Sequence, residues 1–214
     1  MFRTLALLAV VITASCASAL SGIEATALRL EFTNGLCTGT AVGPRVVLSA
    51  DHCWANGNRL LKINGEEAHA LKIERDGKDH VLVRVTTKFK RYARMGPMPE
   101  KGGRVRWIGM PSGMDRLFRQ GYYVGDDEGF LMFDAPASGG DSGSGLHDDK
   151  GRLVAVLSGM RMWQNPRGFH MQLMVAYPLE FTPEQWATPS LCRGWTVQDV
   201  AASIGPGLAK AALA

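Results

Sequence analysis

The amino-acid sequence predicts an all-β protein of two six-stranded antiparallel β-barrels with a C-terminal helix, and three observations carry that expectation. Between Ala27 and Val175 the chain breaks into brief runs rich in β-branched and apolar residues, the pattern of short strands rather than of helices. Turn signals punctuate these runs: Asn56-Gly57, Asn64-Gly65, Asp76-Gly77, Asp127-Glu128-Gly129 and Asp149-Lys150-Gly151. A stretch without strand pattern, Lys90 to Gly103, then divides them into two sets of similar number. Many short strands so arranged favour a sandwich or barrel over an α/β fold.

Taken in order, the predicted strands are Ala27–Thr33, Arg45–Ser49, Leu60–Ile63, His69–Glu74 and His80–Thr86 before the linker. After it come Arg104–Met110, Phe118–Val124, Phe130–Asp134, Leu153–Met160 and Phe169–Val175. The two barrels are expected over residues 20–95 and 96–181. Beyond Pro178 the character changes. Thr182-Pro183-Glu184 reads as a helix start, and Thr196 to Ile204 has the periodicity of a short amphipathic helix in a tail over residues 182–214.

The first 19 residues read as a cleaved signal peptide. A basic start at Met1 to Arg3 precedes the apolar run Leu5 to Ile12, and Ala17-Ser18-Ala19 supplies a small-x-small cleavage site. The run is too short to span a bilayer, which needs about 20 apolar residues. In a competing reading, Thr13-Ala14-Ser15-Cys16 loosely matches a bacterial lipobox and Cys16 carries a lipid anchor. No later stretch is apolar enough to span a membrane, so a secreted or periplasmic location is expected.

The 24 Lys and Arg against 20 Asp and Glu are scattered, without the basic stripe of a nucleic-acid binder. The histidines and cysteines lack metal-ligand spacing, and the expected chemistry needs no cofactor. Of the cysteines that follow Ala19, Cys37 and Cys53 lie at the two ends of one apolar hairpin-like segment. In an oxidising compartment these two are the expected bridge, leaving Cys192 as a free thiol in the tail.

Three segments carry chemistry, in the order His, Asp, Ser. They are Cys37-Thr38-Gly39-Thr40 leading to Ala50-Asp51-His52-Cys53, then Asp79-His80-Val81-Leu82, then Ser138-Gly139-Gly140-Asp141-Ser142-Gly143-Ser144. A serine hydroxyl becomes a nucleophile only beside a base that takes its proton. It also needs donors aimed at the oxygen that turns negative in the transition state. Glycines around Ser142 allow a sharp turn in which the amides of Gly140 and Ser142 converge as an oxyanion hole.

Together the segments resemble the trypsin-like, chymotrypsin-fold serine proteases, in a compact bacterial form. The family's Ala-His-Cys is similar to Ala50-Asp51-His52-Cys53, its Asp-Ile-Ala-Leu to Asp79-His80-Val81-Leu82, and its Gly-Asp-Ser-Gly-Gly to Gly140-Asp141-Ser142-Gly143-Ser144. The interval from Cys37 to Cys53 is the one that the family's bridge beside its histidine requires. The resemblance implies a secreted endopeptidase acting on polypeptides through His52, Asp79 and Ser142, with an acyl-enzyme intermediate. It also implies that Val154 to Gly159 is the strand that pairs with substrate. His80 neighbours Asp79 on a strand and so points to the other face. His69, His147 and His170 read as ordinary surface or loop residues.

The sequence departs from the family at several positions. Asp51 stands before the histidine, where it could raise the imidazole pKa. No Ile-Val-Gly-Gly-like start follows the signal peptide, so the sequence names no partner for Asp141 and no zymogen switch is expected. The base of the specificity pocket falls on Pro136, Ser138 replaces a pocket cysteine, and Met160 replaces a wall glycine. With Ser158 and Gly159, these substrate-binding positions suggest a small or apolar side chain before the cut. The alternative function is a catalytically inactive, protease-like binding module.

Overall fold

The computed structural model describes residues 21–164, 166–168, 170–182 and 185. The predicted signal peptide with Cys16, the thiol of Cys192 and the tail helix at Thr196–Ile204 lie outside them. No helix among the described residues is long and apolar enough to cross a membrane.

The N-terminal half forms one curled antiparallel sheet. Its strands are β1 (Ala27–Phe32), β2 (Gly35–Gly43), β3 (Val46–Ala50), β4 (Leu60–Ile63), β5 (Glu66–Glu67), β6 (Ala70–Arg75) and β7 (His80–Val85), ordered β5-β4-β1-β2-β3-β7-β6. The C-terminal half comprises β8 (Arg104–Gly109), β9 (Leu117–Asp127), β10 (Phe130–Asp134), β11 (Gly145–His147), β12 (Leu153–Gln164) and β13 (His170–Ala176). These close into a six-stranded barrel, β10-β13-β12-β11-β8-β9. The first sheet therefore has seven strands where a six-stranded barrel is expected and five strands are named; the two unnamed ones are β2 and β5. β5 forms the edge, two residues paired with Lys62 and Ile63.

β2 is absent from the predicted strands, and its glycines, Gly35, Gly39 and Gly43, lower its strand propensity. The structure gives Gly39 a packing reason instead. A Cβ there would stand 2.7 Å from a Val47 methyl and 2.8 Å from a Leu30 methyl, so glycine lets neighbouring strands carry those side chains inward.

Every residue of β3 is buried, which follows from the two cores it separates. Val47 and Ala50 face the N-terminal core with Leu30, Trp54 and Val83, where Phe32 meets Trp54 edge-on at 4.9 Å. Val46 and Leu48 face the other way, onto Leu153 and Val156 of β12. A strand buried on both faces reads as a continuous apolar run. The barrel has its own core around Trp107, Phe133, Leu146 and Leu157. The seam between the halves is thus lined by β3 and β12, and the polar segments of interest open from strands along it.

Candidate active site

His52 and Asp79 are delivered at the same end of one antiparallel strand pair. β3 runs into a 3₁₀ turn over Asp51–Trp54, and its partner β7 begins immediately after Asp79, with Ala50 opposite His80. The turn is fastened by Asp51 N–H donating to Asp79 O at 3.0 Å and by the bridge between Cys37 and Cys53. His52 N–H donates to Asp79 Oδ1 at 3.0 Å. The ring Nδ1 lies 3.0 Å from Oδ1 and 2.9 Å from Oδ2. The contact that the sequence suggests is therefore present.

The hydrogen bond that the His52 ring donates to Asp79 raises the pKa of His52 above its ordinary 6.5, against the downward pull of burial. Burial pushes the Asp79 carboxyl up, but the bonds from the His52 ring and amide outweigh it and the pKa is lowered. Ser158 Oγ is buried beside this carboxylate and also favours its charged form, though without a hydrogen bond of regular geometry. Asp51, the departure before the histidine, is taken up by Arg75 Nε at 2.8 Å. It adds only the smallest of the upward influences on His52.

Ser142 sits half-buried in the turn before β11, and both halves of the molecule hold that turn. From β2, Thr38 N–H donates to Ser142 O at 2.8 Å and Thr38 Oγ1 donates to Gly140 O at 2.8 Å. From β12, Leu157 O accepts the Gly143 N–H at 2.7 Å. Gly143 has a left-handed backbone, φ 84°, and lies so close to the first sheet that a Cβ would reach within 3.0 Å of Ala50 N. The serine turn is thereby pressed against the residues that lead into His52. Gly140 also has a positive φ, 97°. Among the described residues, no backbone hydrogen bond that holds the turn uses the Gly140 or Ser142 N–H.

A histidine held by a half-buried carboxylate, with a glycine-bent serine turn packed on the strand that leads into it, is a decisive combination on this pair of sheets. Residues 37–156 match the model of the trypsin-like peptidase domain. The chain belongs to that family. No curated protein matches it by sequence. Among solved structures, it is similar to the Rv3671c protease of M. tuberculosis in an inactive form, at 17% identity and TM-score 0.60, over 79% of this chain and 91% of that one. The HtrA-type protease AlgW, with a tripeptide, gives 20% identity and TM-score 0.59 over 77% of this chain. A serine endoprotease from Yersinia pestis gives 18% and 0.59, also over 77%. The chain spans 60% and 62% of those last two. At such identities these neighbours show a shared fold.

Within this trypsin-like peptidase, Asp141 has a partner that sequence reading misses. It is wholly buried and forms an ion pair with Arg119 of β9, while Asp141 Oδ2 accepts the Ser138 N–H at 3.0 Å. Burial raises the Asp141 pKa, opposed by the Ser138 amide and Arg119. The signal for Arg119 is strand parity: Gly121, Tyr123 and Gly125 are the buried residues of β9, and Arg119 shares their face. Its guanidinium also lies 5.7 Å from the Trp107 ring centre.

His80 turns inward onto Asp76, its Nδ1 2.6 Å from Oδ2, with both side chains fully buried. His69 and His170 are exposed. His147 corrects the reading of a surface or loop residue: it lies on β11, is 1% exposed, and burial lowers its pKa to about 4. Its ring approaches backbone groups of Gly145 and Arg106, but neither nitrogen makes a hydrogen bond of regular geometry. Of the specificity positions, Pro136 is exposed between buried Ala135 and Ala137, Gly159 is half-buried and Met160 is exposed. Ser138 Oγ lies 3.0 Å from Ser112 Oγ.

Proposed function

We propose that this trypsin-like peptidase is an exported serine endopeptidase that cleaves polypeptides through an acyl-enzyme. Ser142 Oγ attacks the scissile carbonyl as His52 takes its proton, and the imidazolium then protonates the leaving amine. Asp79 holds Nδ1–H and stabilises the charged ring. The amides of Gly140 and Ser142 receive the oxyanion. Water then repeats the sequence on the acyl-serine, releasing the acid and restoring the hydroxyl.

The observation that carries this reading is the grip of Asp79 on both the ring and the amide of His52. A packed loop histidine has no need of a half-buried carboxylate aligned on its Nδ1. The domain plan is part of the proposal: residues 20–95 supply the base and its carboxylate, and residues 96–181 supply the nucleophile. Substrate pairs along Ser158, Gly159 and Met160, and a pocket based on Pro136 favours small or apolar side chains. Export rests on the leader-like N-terminus and agrees with the Cys37–Cys53 bridge.

Digestion of a denatured protein by wild type and by Ser142→Ala tests the proposal. Cleavage by wild type that vanishes in a folded Ser142→Ala protein is expected. Undiminished cleavage in the variant contradicts the mechanism, and no cleavage by either favours a binding module.

A further inference from the structure

The loop between β8 and β9 leans on the turn that holds the candidate oxyanion donors. Ser112 N–H donates to Gly139 O at 2.6 Å, and Ser112 Oγ meets Ser138 Oγ. The Met110 carbonyl packs so closely on Gly140 that a Cβ there would collide with it. The direction of the Gly140 N–H therefore depends on where Met110 to Ser112 are held, and oxyanion donors act only when correctly aimed.

That loop is not relaxed by itself. Ser112 and Arg116 both have left-handed backbones, φ 52° and 51°, a state that non-glycine residues keep when their surroundings over-determine it. Arg116 supplies the constraint. Its Nη1 donates to Ala27 O at 3.1 Å, its Nη2 donates to Glu24 O, and its own N–H faces Met110 Sδ at 3.2 Å. Glu24 lies in a helical turn over residues 21–26, and Glu24 O and Ala27 O are at the end where a helix leaves carbonyls unsatisfied. The turn is seated by Ile23, fully buried against Ala27 and Ile108.

We propose that Arg116 is a positioning residue for the oxyanion turn, clamping the loop Met110–Arg116 to the N-terminal segment so that docking of that segment aims the Gly140 N–H. The inference rests on the serine-peptidase reading. It differs from the pairing of Arg119 with Asp141, which holds the same turn from inside the barrel. The N-terminal segment here acts through carbonyls offered to a guanidinium, not through a charged amino end. A protein with this segment undocked keeps its His52–Asp79 pair and loses oxyanion stabilisation.

Two reactions of one site separate these effects in Arg116→Ala and Arg116→Lys. Phosphonylation of Ser142 by a fluorophosphonate draws on the oxyanion donors, whereas alkylation of His52 by a haloacetamide needs only the imidazole. Arg116→Ala is expected to slow phosphonylation by about 10-fold or more, the scale on which small misplacements act. His52 alkylation and its pH midpoint stay unchanged. Arg116→Lys falls between, because an ammonium still reaches a carbonyl, and it carries the comparison alone if the alanine variant does not fold. Equal phosphonylation in variant and parent overturns the clamp, as does a parallel fall in both reactions, which signals general loosening. A folded parent that is never phosphonylated defeats the peptidase reading, and the clamp with it.

Discussion

Asp79 Oδ1 accepts the His52 backbone N–H at 3.0 Å while the same carboxylate lies 2.9 and 3.0 Å from His52 Nδ1. One side chain thus fixes the main chain and the ring of the histidine together, so the imidazole's tautomer and direction depend on a single group. Asp79→Asn can keep only part of this arrangement, because an amide has one acceptor oxygen. A loss of about 10⁴-fold in kcat is expected, with the circular-dichroism spectrum unchanged.

The pH dependence follows from the same contact. Asp79 raises the His52 pKa above 6.5, and only the neutral imidazole can accept the serine proton. Activity is expected to rise with pH through a midpoint above 6.5, and Asp79→Asn should move that midpoint down. The linked stability has the opposite direction: the protonated pair's contribution is complete below 6.5 and is lost as pH rises through the folded pKa. A titration of kcat/KM in both proteins checks the first claim.

Arg119→Ala leaves the Asp141 carboxylate buried without its cation. Breaking a buried pair in this way costs about 3–5 kcal/mol. The carboxyl pKa, already raised by burial, rises further, so the folded state holds a proton that the unfolded chain releases. Stability of the variant should therefore fall as pH rises above the ordinary carboxylate range. Thermal melts at several pH values would show it, and a variant equally stable throughout contradicts the account.

His147 predicts an acid limit with the reverse slope. Its folded pKa is about 4 against about 6.5 unfolded, so the unfolded chain binds more protons between those values. Stability should drop as pH falls from 6.5 to 4, by about 3 kcal/mol over the window. His147→Leu is expected to flatten that slope in chemical denaturation, since no buried imidazole then needs to stay neutral.

The brief apolar runs bounded by turn residues are legible in the sequence. Leu60–Ile63 and Phe130–Asp134 match residue for residue, and the Cys37–Cys53 bridge is present. β11 is not, because three residues after a glycine-rich turn have no period to read, and the burial of His147 on it is equally hidden. The pairing of His52 with Asp79, 27 residues apart, is suggested by the resemblance of their segments to the family and not by local pattern. The partner of Asp141 is suggested by neither, since Arg119 lies 22 residues away and only its parity within β9 aims it inward. Arg116 is harder still: its role depends on backbone carbonyls, which carry no sequence signature.

Labelling of the folded, oxidised protein with a fluorophosphonate, followed by mass mapping, tests the central claim most directly. An activated serine should give a single adduct on Ser142 that is lost in His52→Ala. Correctly folded protein that gives no adduct, or gives one that survives His52→Ala, contradicts it.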